Sequence, residues 1–183
     1  MEELVLVVPK KTHQIEAINF IKEFLENNSS INGTGDLDSY LDNYESWLEK
    51  LENDLDYDNI KPGRVPANTY FAIRKSDKKI IGMINIRHKL NEYLLKMGGH
   101  IGYGVRPTER KKGYATNILA LGLKRCKELG IKKVLITCDK DNIGSAKTIQ
   151  NNLGILENEL FDEENKKTKQ RYWIDLENNN LKK

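Results

Sequence analysis

Scarcities narrow the class of this chain first. It has 2 cysteines, Cys126 and Cys138, in 183 residues, too few to frame a disulfide-stapled fold, so both are expected to stay reduced thiols in the cytoplasm. No apolar run approaches the length of a membrane span, and the N-terminus lacks a basic-plus-apolar signal segment. There is no internal repeat. Neither G-x-G-x-x-G nor G-x-x-x-x-G-K-[ST] occurs, which excludes the Rossmann and P-loop readings. Aromatic residues make up 8% and the net charge is only +3, which argues against a nucleic-acid partner. What is present, 38% hydrophobic and 31% charged residues, suits one domain with a real core. That domain is expected over residues 1–177, with 178–183 as a disordered tail.

The charge is unevenly distributed. Residues 106 to 133 carry nine Lys or Arg against Glu109 and Glu128, whereas Asp36 to Asp58 holds nine carboxylates against Lys50. The basic segment could face phosphates of any kind, so nucleic-acid binding stays as a rival reading. The acidic segment suggests a cationic partner or simply a solvated helix face.

Periodicity alternates between strand and helix. Leu4 to Val8 reads as a strand, and Thr12 as the cap of a helix bearing Ile15, Ile18, Ile21, Phe24 and Leu25. Asn27 to Gly35 reads as a loop. A single helix is predicted from Asp36, its apolar residues Leu37, Tyr40, Leu41, Tyr44, Trp47, Leu48, Leu51 and Leu55 spaced three and four apart. After an irregular stretch from Lys61 to Asn68, Tyr70 to Arg74 and Lys79 to Arg87 form a hairpin about Ser76-Asp77. Ile101 to Val105 is a strand, Arg110 to Leu129 a helix, Lys133 to Cys138 a strand and Asn142 to about Asn152 a short helix. Leu156 to Phe161 and Gln170 to Leu176 close the plan as a hairpin. The class is α+β, with a mixed, mostly antiparallel sheet of about seven strands.

The segment from Gly98 to Leu119 carries the most chemistry. Pro107 biases Arg106 away from the helical region and stops the strand. Arg110, Lys111 and Lys112 then place three cations at the expected helix start, where backbone N–H groups lack intrahelical partners, and Gly113 leaves room for a phosphate to approach them. A basic helix start opposes the macrodipole. An anionic ligand is therefore expected there.

Arg110-Lys111-Lys112-Gly113-Tyr114-Ala115 resembles the acetyl-CoA signature R/Q-x-x-G-x-G/A of the GNAT acetyltransferases, and Ile101-Gly102-Tyr103-Gly104-Val105 is similar to their fourth strand. Asn142 and Ser145 match an Asn-x-x-Ser at the start of the following helix. The resemblance implies a three-layer fold with helices on both faces and a splayed parallel pair formed by the fourth and fifth strands. It implies acetyl-CoA as co-substrate, no metal, and a primary amine as acceptor. By the same resemblance the amides near Tyr103, Gly104 and Val105 hold the pantetheine arm, with the Val105 N–H on the thioester carbonyl. Those from Lys111 to Ala115 hold the pyrophosphate. Asn142 is either a helix cap or a pantetheine contact, and Ser145 is a further candidate contact.

Transfer to an ammonium needs a route for its proton. His100 stands where many relatives carry a Glu, and its ordinary pKa is close to working pH, so it is the candidate base, with a structural role as the alternative. His88 ranks lower, His13 is expected at a helix start without function, and ordered water could also take the proton. The family's usual acid, a Tyr seven residues after the Asn, is Ile149 here. Tyr103, Tyr114 and Tyr172 are the substitutes to weigh, beside direct protonation by solvent. The sequence therefore predicts an N-acetyltransferase acting by direct transfer. Its rivals are an inactive acetyl-CoA-binding module and a nucleic-acid-binding protein. The first two family helices commonly border the acceptor cleft, so the acidic run suggests a cationic amine. A homodimer is compatible with the sequence, but no pattern argues for one.

Overall fold

The computed structural model describes residues 2–58 and 60–178. Seven strands form two sheets. The first has β1 (Leu4–Val7), β2 (Ala67–Arg74), β3 (Ile80–Arg87) and β4 (Ile101–Val105) in that order, all antiparallel. The second has β5 (Lys133–Asp139), β7 (Lys167–Asp175) and β6 (Ile155–Asp162) in the order β5-β7-β6, also antiparallel. The part of the tail at residues 179–183 lies outside the described residues. Asn178 itself is held in a turn, its side chain donating to Asp175 Oδ2 at 2.9 Å.

Alternation along the central strands sends side chains to two cores, because successive Cβ atoms leave a strand on opposite faces. On one face Phe71, Ile73 and Met83 meet Phe20, Ile21 and Phe24 of α1 (Gln14–Glu26) and Trp47 of α2 (Tyr44–Asn53). On the other, Ala72, Ile84 and Ile86 meet Ile118, Leu119 and Leu123 of α3 (Tyr114–Glu128) and Ile149 of α4 (Ile143–Asn151). The fold is thus three layers, helices on both faces of the strands.

Four sequence expectations change. Thr12 does not cap α1. His13 occupies the cap position, and its Nδ1 accepts the Lys10 N–H at 3.1 Å. Ile15 and Leu25 are exposed while Ala17 and Phe20 are buried, so the core face of α1 is rotated from the predicted one. The predicted long helix from Asp36 is broken. Asp36 takes a left-handed φ of 67°, Leu37–Ser39 forms a 3₁₀ turn, and α2 starts afresh with Asn43 accepting the Ser46 N–H at 3.1 Å. Finally α3 starts at Tyr114, not Arg110, since a 3₁₀ turn over Pro107–Glu109 and a loop through Gly113 come first.

Candidate active site

β4 and β5 touch at one end only. The His100 N–H donates to Leu135 O at 2.7 Å, and the Leu135 N–H donates back to His100 Nδ1 at 3.0 Å. Beyond this clip no backbone pairing joins the two strands among the described residues. Both run from the clip toward the same cleft, reaching α3 and α4 there, so they are parallel and splayed. The ladder bonds Arg106 N to Ile81 O and Arg87 N to His100 O assign even-numbered residues of β4 to β3. The N–H groups of Tyr103 and Val105 therefore point the other way, into the gap.

The gap opens into a cleft of about 480 Å³ lined by Tyr103, Gly104, Val105, Arg110, Lys111, Gly113, Tyr114, Ala115, Asn142 and Ser145. Ten sequence-predicted residues thus converge on one surface. At its far end the loop before α3 has two left-handed residues, Lys111 at φ 60° and Gly113 at φ 82°. Such turns gather backbone N–H groups into an anion-binding concavity. Gly113 has no side chain with which to cap α3, and the first intrahelical bond there is Asn117 N to Gly113 O at 3.3 Å. The amides of Tyr114, Ala115 and Thr116 are left for a ligand.

The basic residues divide into struts and free cations. Arg106 is buried, donating to Glu16 at 2.6 Å, Glu23 at 2.9 Å and Ile80 O at 2.8 Å. Arg110 ties Val105 O at 3.1 Å to Ser29 Oγ at 2.7 Å and stacks over Phe24. Lys112 pairs with buried Glu109 at 2.8 Å. Burial pushes the Glu109 carboxyl up, but Lys112, Lys79 and Arg74 outweigh it and hold it down at about 2. Lys112 does not line the cleft, so it anchors the loop rather than facing a ligand. The cations lining it with no carboxylate partner among the described residues are Lys111 and Lys147, the latter unpredicted because one exposed helical Lys carries no signal. Of the nine basic residues from 106 to 133, four pair with carboxylates, Arg106, Lys112, Arg125 and Lys132, which weakens the case for nucleic acid.

His100 is buried and does not line the cleft. Its Nδ1 lone pair is occupied by the Leu135 N–H. Burial, aided by the Arg87 charge, pushes its pKa down to about 4. A base needs a free lone pair within reach of the proton, so the alternative, a structural His, fits this geometry. His88 is held by Tyr57 at 2.6 Å and Asn68 at 2.7 Å, also outside this cleft.

Of the three tyrosines, Tyr114 accepts from Arg74 at 3.3 Å and Tyr172 donates to Gln170 at 2.8 Å. Tyr103 alone turns its hydroxyl to Ser145 Oγ across the cleft, at 2.9 Å. Burial pushes that hydroxyl up to about 12, so it stays a proton carrier at neutral pH. Asn142 caps α4 through Oδ1, accepting the Ser145 N–H at 3.0 Å. Cys138 is buried and its thiol pushed up to about 11 by burial, unsuited to a nucleophile.

The family model for an acetyltransferase (GNAT) domain matches residues 14–152. The chain belongs to the GNAT acetyltransferase family. Its fold is also that of solved acetyltransferases. Microcin C7 self immunity acetyltransferase MccE, solved with acetyl-CoA and AMP, is 20% identical over 96% of this chain and 94% of its own, with a TM-score of 0.67. RimJ from Mycobacterium smegmatis, in complex with CoA-disulfide, is 16% identical over 95% and 82% of the two chains, TM-score 0.70. Ribosomal-protein-S5-alanine acetyltransferase from Vibrio fischeri is 14% identical over 100% and 97%, TM-score 0.68. Comparison with curated proteins finds no match. In this GNAT chain Ile149, at the position of the family's usual Tyr, is fully buried in the core under α4. The Tyr103–Ser145 hydroxyl pair faces the cleft. Phe24, Ser29, Ser30, Asn32, Thr116, Gly144 and Thr148, which the sequence did not single out, also line it. Phe24, Ser29, Ser30 and Asn32 come from the end of α1 and the loop after it, Thr116 from the first turn of α3 and the last two from α4.

Proposed function

We propose that the chain is an acetyl-CoA-dependent N-acetyltransferase that acetylates a primary amine by direct attack in a ternary complex. The observation that carries this reading is the splay itself. It leaves the Tyr103 and Val105 amides without a partner among the described residues, beside a loop whose uncapped amides suit a pyrophosphate. The pantetheine amides would pair with β4 as an added strand does, and acetyl-CoA supplies the activated thioester. The Val105 N–H is aimed at the charge that develops on its carbonyl oxygen.

An alkyl ammonium of pKa about 10 costs about 4 kcal/mol to deprotonate at neutral pH. With Nδ1 of His100 occupied, that proton leaves through water. Tyr103, paired with Ser145, is the donor proposed for the departing thiolate. The acidic run does not by itself define a cationic acceptor, because Glu45, Glu49 and Glu52 line a separate depression with Lys10 and Lys11.

The test is thermal unfolding with acetyl-CoA, using Gly113→Glu as control. At a hundredfold excess over Kd, binding should stabilise the native state by about 2.7 kcal/mol, and the variant should lose that shift. A wild-type shift followed by turnover of an amine supports the proposal. A shift without turnover of any amine leaves an inactive acetyl-CoA-binding module, the reading that Ile149 favours. No shift at all rejects both.

A further inference from the structure

A second cleft, of about 420 Å³, lies beside the first and shares Asn32 with it. Its charged lining is Asp36, Asp38, Lys50, Asp54, Arg64 and Arg87. Most of these charges are already paired. Asp36 meets Lys50 at 3.2 Å and Arg64 at 2.9 Å, and Asp54 meets Lys50 at 2.6 Å. Two are not. Among the described residues Asp38 accepts only the Thr34 hydroxyl, at 2.9 Å, and Arg87 has no carboxylate within ion-pairing distance.

Arg87 is nevertheless rigidly held. Its Nη1 donates to Gly98 O at 3.1 Å and Gly99 O at 3.0 Å, which orients the planar group and leaves the Nε–Nη2 edge without an acceptor among the described residues. That edge lies against β4, since a Cβ built on Gly102 would be 3.7 Å from Nη2. The next residue, Tyr103, lines the cofactor cleft. Burial lowers the pKa of Arg87, yet a guanidinium stays charged at neutral pH. A pre-oriented fork without an anion is the geometry that receives a carboxylate through two parallel hydrogen bonds.

We propose that this second cleft takes an acceptor bearing a carboxylate beside its amine, with Arg87 as the residue that recognises the carboxylate. The amine half rests on the acetyltransferase reading above; the anion half stands on the cleft. Three acids and three bases line it, so a zwitterion preserves neutrality. A phosphate dianion would add two negative charges beside Asp36, Asp38 and Asp54, and a polyamine would place like charge against Arg87.

The experiment follows the Arg87 Nε–H resonance in CoA-loaded, ¹⁵N-labelled protein, assigned by its loss in Arg87→Lys. N-acetylglycine should shift it saturably and N-acetylglycinamide should not. Equal response to both, or none to either, overturns the proposal, and a response to inorganic phosphate alone reassigns the anion and overturns it as stated. In parallel, kcat/KM is compared for amino acids and their amides. A preference for the carboxylate above about tenfold should fall below about threefold in Arg87→Lys, which keeps a cation near the two glycine carbonyls but lacks the fork. Acetylation with no carboxylate preference rejects the anion site and leaves the acetyltransferase reading intact. A saturable shift with no acetylation of any amine does the reverse.

Discussion

At the scale of single residues, His100 shows how environment reassigns a side chain. Because its folded pKa is pushed down to about 4 from 6.5, the unfolded chain binds the extra proton between those values. Stability from this group is complete above about pH 6.5 and is lost as pH falls toward 4, on the order of 3 kcal/mol. The loss attributed to Glu109 falls lower, from its ordinary 4.5 down to about 2. Thermal melts should thus show an early acid limb above pH 4.5 that flattens in His100→Asn, whose Oδ1 can still accept the Leu135 N–H. If kcat in that variant, measured with a turned-over amine, falls more than tenfold at pH 7 to 8, the clip assignment is wrong and the base role returns. Tyr103→Phe addresses the other proton. It should lower kcat by roughly tenfold to a hundredfold, within the usual range for losing a general acid, with little change in acetyl-CoA affinity by calorimetry.

Elements carry the next set of consequences. Gly113 sits at φ 82° where α3 begins, a conformation that costs an L-residue about 1 to 2 kcal/mol. Gly113→Ala should therefore lower the melting midpoint by several degrees and weaken acetyl-CoA binding. A stable variant with unchanged affinity would mean the turn does not hold the pyrophosphate. For α2, Asn43→Ala removes the side-chain cap of an otherwise polar helix and should cost about 1 kcal/mol in chemical denaturation. That cap was written in the sequence, but the three-and-four spacing of Leu37, Tyr40, Leu41 and Tyr44 ran straight across it. Spacing reports which residues want burial, and a 3₁₀ turn followed by a new helix can bury the same set. The strands from Tyr70 to Arg87 and from Ile101 to Val105 were legible because apolar β-formers between turn residues have few alternatives. The start of α3 was not, since Pro107 is equally content at the head of a 3₁₀ turn and cations say nothing about φ.

Across the whole molecule, two sheets are joined at β4 and β5 by the clip at His100 and Leu135 and by helices packed over the gap. The loop after α1 crosses the same strand. Gly33, at φ 74°, lies so close that a Cβ there would be 2.4 Å from Gly102 O. A ligand filling the gap bonds to both sides, so acetyl-CoA should slow amide hydrogen exchange in β4, the start of α3 and the start of α4 more than in β1. Uniform slowing in all strands would point to global stabilisation without a bridging ligand.

The sequence alone determined most of the element types and the α+β class, because these depend on local φ/ψ limits and on residues close in the chain. It also named Tyr103, Val105, Asn142 and Ser145, four residues that the fold brings to one cleft. Tertiary structure decided which charges are free. Lys112 was expected among the pyrophosphate ligands until Glu109 was brought beside it, and Arg87 carried no sequence signal until the fold left it lining a cleft with no carboxylate within ion-pairing distance of it among the described residues. It likewise set the Leu135 N–H against His100 Nδ1, because a lone pair is lost to whichever N–H folding places against it, and Leu135 is a distant residue that only the splayed strands bring near.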